Sequence, residues 1–296
     1  MSVTSATAPT VAAPSGPGRL GGVLRFLRKN PLTVVGLAVV VAWVLIGIFA
    51  PVVAPHPPLK QNLVDRLDPP SGQYLFGTDQ LGRDVLSRVL YGGRISLPAG
   101  LMVVIGAAIV GGLIGALAGW LGGWFDEIVM RVTEVFMAFP TIILAMAIAA
   151  ALGPSLINAV IAMVIVWWPN YARLMRGLVT SVKAEQYVEA ARVVGVPEWR
   201  ILLRAVLPNC SAPMVVLGTV DLGAAILVFA GLSFLGLGSD PATPEWGRMI
   251  ADGVQFFDQW WVAAFPGLAI CTLVIGFNFI GDGIRDALDP RLRKAL

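Results

Sequence analysis

The sequence predicts an all-α membrane protein with six transmembrane helices, on three observations. Apolar residues make up 57% of the 296-residue chain and charged residues only 13%, well below the roughly one quarter usual in soluble domains. Mean hydropathy is +0.79. The charges gather in short polar segments, separated by charge-free runs long enough to cross a hydrocarbon core of about 30 Å. The longest such run, Val135 to Ala172, exceeds any single crossing at about 1.5 Å per helical residue, so it must fold back on itself.

Taken in order, residues 1–18 are small, polar and proline-rich, too poor in large apolar groups to offset their own ordering entropy, and the whole of 1–30 reads as an N-terminal segment outside the bilayer. Arg19, Arg25, Arg28 and Lys29 precede the first span, 31–53. Positive charge before an apolar run also opens a signal peptide, but this run is too long for a signal core and further spans follow. Residues 54–94 form a polar outer segment. Within it, Thr78 or Asp79 is placed to cap a short surface helix bearing Leu81, Val85 and Val89, with Asp84 and Arg88 able to pair and Gly92 able to end it.

A core of five spans is expected over 95–281. The second span lies within Ile95–Phe125, and its Gly111, Gly115 and Gly119 recur every four residues, the spacing that lets membrane helices pack backbone to backbone. Asp126 and Glu127 read as a polar turn. Gly153-Pro154-Ser155 is the hairpin between spans over 135–152 and 156–172, with Pro140 and Pro169 kinking or ending them. Pro213–Leu235 is the fifth span and Val262–Ile280 the sixth, joined by a polar turn that ends in Trp260 and Trp261, where an interfacial aromatic belt would put them. Residues 282–296 form a C-terminal tail. Six crossings put both termini on one side. With the amino terminus inside, only Lys60, Arg66, Arg83, Arg88, Arg94 and Arg248 of the 21 lysines and arginines lie outside, which makes both termini cytoplasmic.

The connection between the fourth and fifth spans, 183–208, is the longest charge-bearing segment of the apolar region. Tyr187, Ala190, Ala191 and Val194 fall on one helical stripe, with Lys183, Glu185, Glu189 and Arg192 off it. Gly195 supplies a left-handed stop and Pro197 a start for a second helix. The pattern is helix, sharp turn, helix, with a stripe of small side chains that a partner surface could approach closely. An interfacial amphipathic helix with no partner is the plainer alternative.

These residues carry a resemblance. Glu189, Ala190, Ala191, Gly195, Leu207 and Pro208 stand at the spacing of the "EAA" loop of bacterial ATP-binding-cassette importer permeases, although the family's isoleucine position holds Ala205. The strings GTDQLGRDVLSR, YGGRISL, FLGLG, PEWG and FNFIGDGIRDALDPR, in that order, resemble the C-type subunits of the dipeptide, oligopeptide and nickel branch. The resemblance implies the type I importer permease fold, with a cytoplasmic coupling helix that includes Tyr187 and Arg192 and docks on a separate ATPase. It implies a B-type permease in a heterodimer, two ATPase subunits that bind ATP and magnesium, and an extracytoplasmic binding protein carrying dipeptides, short oligopeptides or another small solute such as a nickel complex or glutathione.

The chain shows no chemistry of its own to set against this. It has no Gly-Lys pair and hence no phosphate cradle of the Walker type. A single histidine, His56, and two cysteines, Cys210 and Cys271, make neither a catalytic triad nor a metal signature. A net charge of +3 on a membrane protein gives no reason to expect nucleic acid. The expectation is therefore a non-catalytic subunit surrounded by lipid, without a metal or cofactor. Asp221 is the one carboxylate within a span; it must face the protein interior or water, either lining the pathway or satisfied by a neighbour. A secondary transporter, the rival class, would carry more charge at mid-membrane and an internal repeat.

Overall fold

A computed structural model describes residues 30–288. The tails at 1–29 and 289–296, including the N-terminal segment just discussed, lie outside the described residues. The chain runs α1 (Pro31–Val53), a 3-10 turn (Leu63–Asp65), α2 (Val85–Leu121), α3 (Gly123–Met137), α4 (Thr141–Leu152), α5 (Leu156–Lys183), α6 (Gln186–Val193), α7 (Glu198–Ile201), a π-helical stretch (Leu202–Val206), α8 (Leu207–Phe234), α9 (Trp246–Gly253) and α10 (Trp261–Leu288). Among the described residues, four helical stretches are long and apolar enough to cross a membrane, those containing α1, α2, α8 and α10, and a bent pair, α3 with α4, makes a fifth. The remaining long helix, the 28-residue α5, is compatible with the expected six.

The broadest interface is between α2 and α5, and its cause is the glycine register. A Cβ at Gly111 would lie 2.2 Å from the Trp168 carbonyl oxygen, one at Gly115 2.2 Å from that of Ala172, and one at Gly119 2.8 Å from that of Arg176. Only hydrogen fits at these positions, so the two backbones touch. Around this contact Ala99, Val103, Met163, Tyr171 and Phe229 are buried at the centre of the bundle.

Residues 54–84 and α9 form a layer over one end. Asp79 accepts from Arg83 Nε at 2.6 Å and lies 3.5 Å from Arg88 Nε, all three side chains being almost fully buried. Buried charges persist only when paired this closely. Trp246, fully buried, fills the space left by Gly92 and donates from Nε1 to the Val89 carbonyl at 2.9 Å.

Several expectations are corrected here. No separate surface helix precedes the second span: Asp84, whose carboxylate accepts from Ser87 N at 2.8 Å, caps a 37-residue α2 that runs straight through Gly92. The boundary at 94/95 therefore falls inside one helix, and Arg88 pairs with Asp79 instead of Asp84. Asp126 and Glu127 are not a turn. They sit in the first half of α3, where Asp126 accepts from Arg176 Nε at 2.9 Å, a partner fifty positions away. The 135–152 span is broken at 138–140, where the chain bends by 92°. Pro169, by contrast, lies inside an unbroken α5. The fifth and sixth spans extend well beyond Pro213 and Ile280, to Leu207 and Leu288. Trp261 is no belt residue: it is buried and donates from Nε1 to the Thr78 carbonyl at 3.1 Å, whereas Trp260 is exposed.

Candidate functional site

At the end of the bundle opposite the 54–84 layer, α5 gives way to an elbow built from α6 and α7. The turn between them is fixed by backbone bonds. Val196 N donates to the Ala191 carbonyl at 3.1 Å and Gly195 N to that of Arg192 at 2.9 Å, the paired bonds of a Schellman stop. Gly195 has φ of +83°, as that motif requires, and a Cβ there would touch nothing. The need for glycine at this point is conformational, not steric. Pro197 sits one place earlier than expected, as the N-cap of α7.

The elbow is braced on three sides. Val188 is fully buried among Trp120, Val179, Ile201 and Val206. The Arg192 guanidinium lies 5.2 Å and the Lys183 ammonium 5.5 Å from the centre of the Trp120 ring at the end of α2, where the ring face attracts cations. Lys183 Nζ also donates to the Trp120 carbonyl. Arg192 Nε donates to Glu198 at 2.9 Å, joining the two arms, and Asn209 of α8 donates to the Tyr187 hydroxyl at 3.0 Å. Leu207 and Pro208 begin α8 directly after the π stretch; Pro208 has no N–H to give back to the preceding turn, and the wider winding falls just before it.

The stripe expected from sequence is split by this packing. Of its members only Ala191 is drawn inward, beside Val188. Tyr187, Ala190 and Val194 face out, joined by Glu189 and by Val193; Val193 and Val194 are 88% and 82% exposed. The elbow is thus a rigid projection with an apolar tip. The residues that hold it, Trp120 and Val188, escape sequence reasoning, although the inward-facing i, i+3, i+4 series Val188, Ala191, Arg192 overlaps the stripe and could have shown one of them. Asp221 is not part of the elbow. It lies thirteen residues beyond Pro208 on α8, about 20 Å along the axis, half-buried, and accepts from Trp167 Nε1 at 3.3 Å. Its burial is offset by a partner on α5.

A glycine-packed bundle of apolar helices long enough to cross a bilayer, carrying a braced projection at one end, defines a multi-span membrane protein. Residues 111–294 match the family described as the inner membrane component of binding-protein-dependent transport systems, and the chain belongs to that family. Residues 19–70 match the N-terminal transmembrane domain of oligopeptide transport permease C. The chain is 45% identical over 269 residues to the dipeptide transport system permease protein DppC of Alkalihalophilus pseudofirmus, covering 90% of this chain and 88% of that one. It is 46% identical over 276 residues to DppC of Escherichia coli, with 91% and 92% covered. To the probable D,D-dipeptide transport system permease protein DdpC of the same organism it is 46% identical over 266 residues, with 90% and 89% covered.

Proposed function

We propose that this chain is one half of the pore of an ATP-driven importer of dipeptides or short oligopeptides. The peptide cargo is supported by the dipeptide permeases it resembles over nine tenths of its length. A B-type permease supplies the other half, two ATPase subunits bind ATP and magnesium, and a binding protein delivers cargo to the end covered by residues 54–84 and α9. The chain itself catalyses nothing and holds no cofactor. Both termini and the elbow face the cytoplasm, consistent with the excess of lysine and arginine on that side.

One observation carries the coupling role: the apolar tip of α6, with Val193 and Val194 almost wholly exposed on a helix otherwise locked in place. Closure of the ATPase pair would push this tip. The load would pass to α2 through Trp120, to α5 through Lys183 and to α8 through the Asn209–Tyr187 bond. Nucleotide shifts the permease between inward-facing and outward-facing states only by its differential affinity for the two, so the elbow must stay engaged throughout.

Val194→Asp tests this reading directly. Its side chain is 82% exposed, so the fold should tolerate the change. A desolvated carboxylate at the docking surface should strip the ATPase subunits from the purified complex and abolish ATP-dependent uptake. A variant that retains both ATPases and wild-type uptake would rule the elbow out as the docking element.

A further inference from the structure

A cavity of about 560 Å³ opens at the end of the bundle opposite the elbow, between the α4–α5 hairpin and the segment joining α8 to α9. Its walls include Ser155, Leu156, Ser239, Asp240, Thr243 and Arg248. That volume suits a small molecule. Building on the import of peptides proposed above, we propose that this cavity receives the terminal carboxylate of a dipeptide on its way from the binding protein to the pore.

Three independent features converge on an anion. The cavity holds the N-terminus of α5, a 28-residue helix whose N-cap, Ser155, makes no side-chain bond to the first turn. Its leading amides therefore point outward unsatisfied, and the helix dipole places positive potential there. Ser239, only 8% exposed, has an Oγ with no hydrogen-bond partner among the described residues, although buried hydroxyls are normally satisfied. Arg248 adds a guanidinium that is only partly committed: its Nε lies 3.2 Å from Asp252 Oδ1, and its terminal nitrogens have no hydrogen-bond acceptor among the described residues. At the rim Asp240, exposed, gives a carboxylate of the sign needed for the ammonium end of the same zwitterion. A hydroxyl, a set of helix amides and an arginine are donors only toward a carboxylate, and a small zwitterion also meets the acid across the cavity.

The test uses the assembled transporter in liposomes, supplied with its binding protein and radiolabelled alanyl-alanine. Ser239→Ala removes a hydroxyl that has no hydrogen-bond partner among the described residues, so it breaks no hydrogen bond there. It should cut the uptake rate at saturating binding protein about tenfold or more, the worth of one hydrogen bond to a charged group. Ser239→Asp, which puts a carboxylate where the cargo's own would sit, should cut it further. The half-maximal concentration of loaded binding protein for stimulating ATP hydrolysis should stay at the wild-type value in Ser239→Ala. Wild-type uptake by both variants would overturn the site while leaving the import reading intact. A shift in that half-maximal concentration would also overturn it, by assigning the cavity to an acidic side chain of the docked binding protein. Absence of alanyl-alanine uptake by the wild-type complex would remove the import reading, and the site with it.

Discussion

Gly115→Ala is the sharpest probe of how the bundle is held together. A Cβ at this position would lie 2.2 Å from the carbonyl oxygen of Ala172 and 2.8 Å from its carbonyl carbon and Cα. Ordinary contact starts at 3.4 Å, so α2 and α5 would have to part by about 1.2 Å, and the obstacle is backbone that cannot swing aside. Overpacking of this kind costs about 1–3 kcal/mol. Gly112, three residues earlier, is the control: a Cβ there meets only the ends of the flexible Met214 and Met175 side chains, at 3.4 and 3.8 Å, and should change stability by less than about 0.5 kcal/mol. Thermal unfolding of the purified complex, followed by tryptophan fluorescence, should show a lowered midpoint for Gly115→Ala, at about 2–4 °C per kcal/mol. Gly112→Ala should leave the midpoint nearly unmoved. Equal shifts for the two variants would refute close backbone packing as the basis of the α2–α5 contact.

Two further outcomes are expected. Trp120→Ala deletes the ring against which Arg192 and Lys183 rest, at about 0.5–1 kcal/mol for each cation, and should lower the number of peptides taken up per ATP hydrolysed; a wild-type ratio would mean that the load does not pass through α2. Glu245, fully buried, caps α9 by accepting from Gly247 N and Arg248 N at 2.9 Å each, and burial raises its pKa above the ordinary 4.5 despite those bonds. Because the folded value is the higher one, its contribution to stability is fully present below about 4.5 and is lost as pH rises through the raised value. Glu245→Gln should flatten that part of the profile of unfolding midpoint against pH, and a profile with the wild-type slope would contradict the assignment.

Where local rules were enough, the sequence was legible to the residue. The expected span 31–53 coincides with α1, because a proline at its start and an apolar run free of charge leave no other reading. The Gly153-Pro154-Ser155 hairpin separates α4 from α5 at the expected residues, and Gly195 forms the expected left-handed turn. The four-residue glycine repeat announced a packing face. Misreadings arose where a charged residue was taken as a sign of the surface. Asp126 looked like a turn because its partner, Arg176, is fifty positions away, and Arg88 was matched with Asp84 on a surface helix because Asp79 and α9 had not yet been brought over it. The same holds at the elbow, where an apolar stripe looked like one face until Val188 and Trp120 decided which half of it would be covered.

Periodicity, glycine spacing and runs without charge act over a few residues, and they made the helical membrane bundle and most of its turns legible in the chain; the permease signature at 183–208 was legible as a family resemblance. The tertiary structure alone decided which polar groups are buried, which face of α6 stays open, and that the end of α5, Ser239 and Arg248 share one cavity. Such facts depend on pairs far apart in the chain, and the energy of burying a charge or a hydroxyl is set by the partner that folding brings to it.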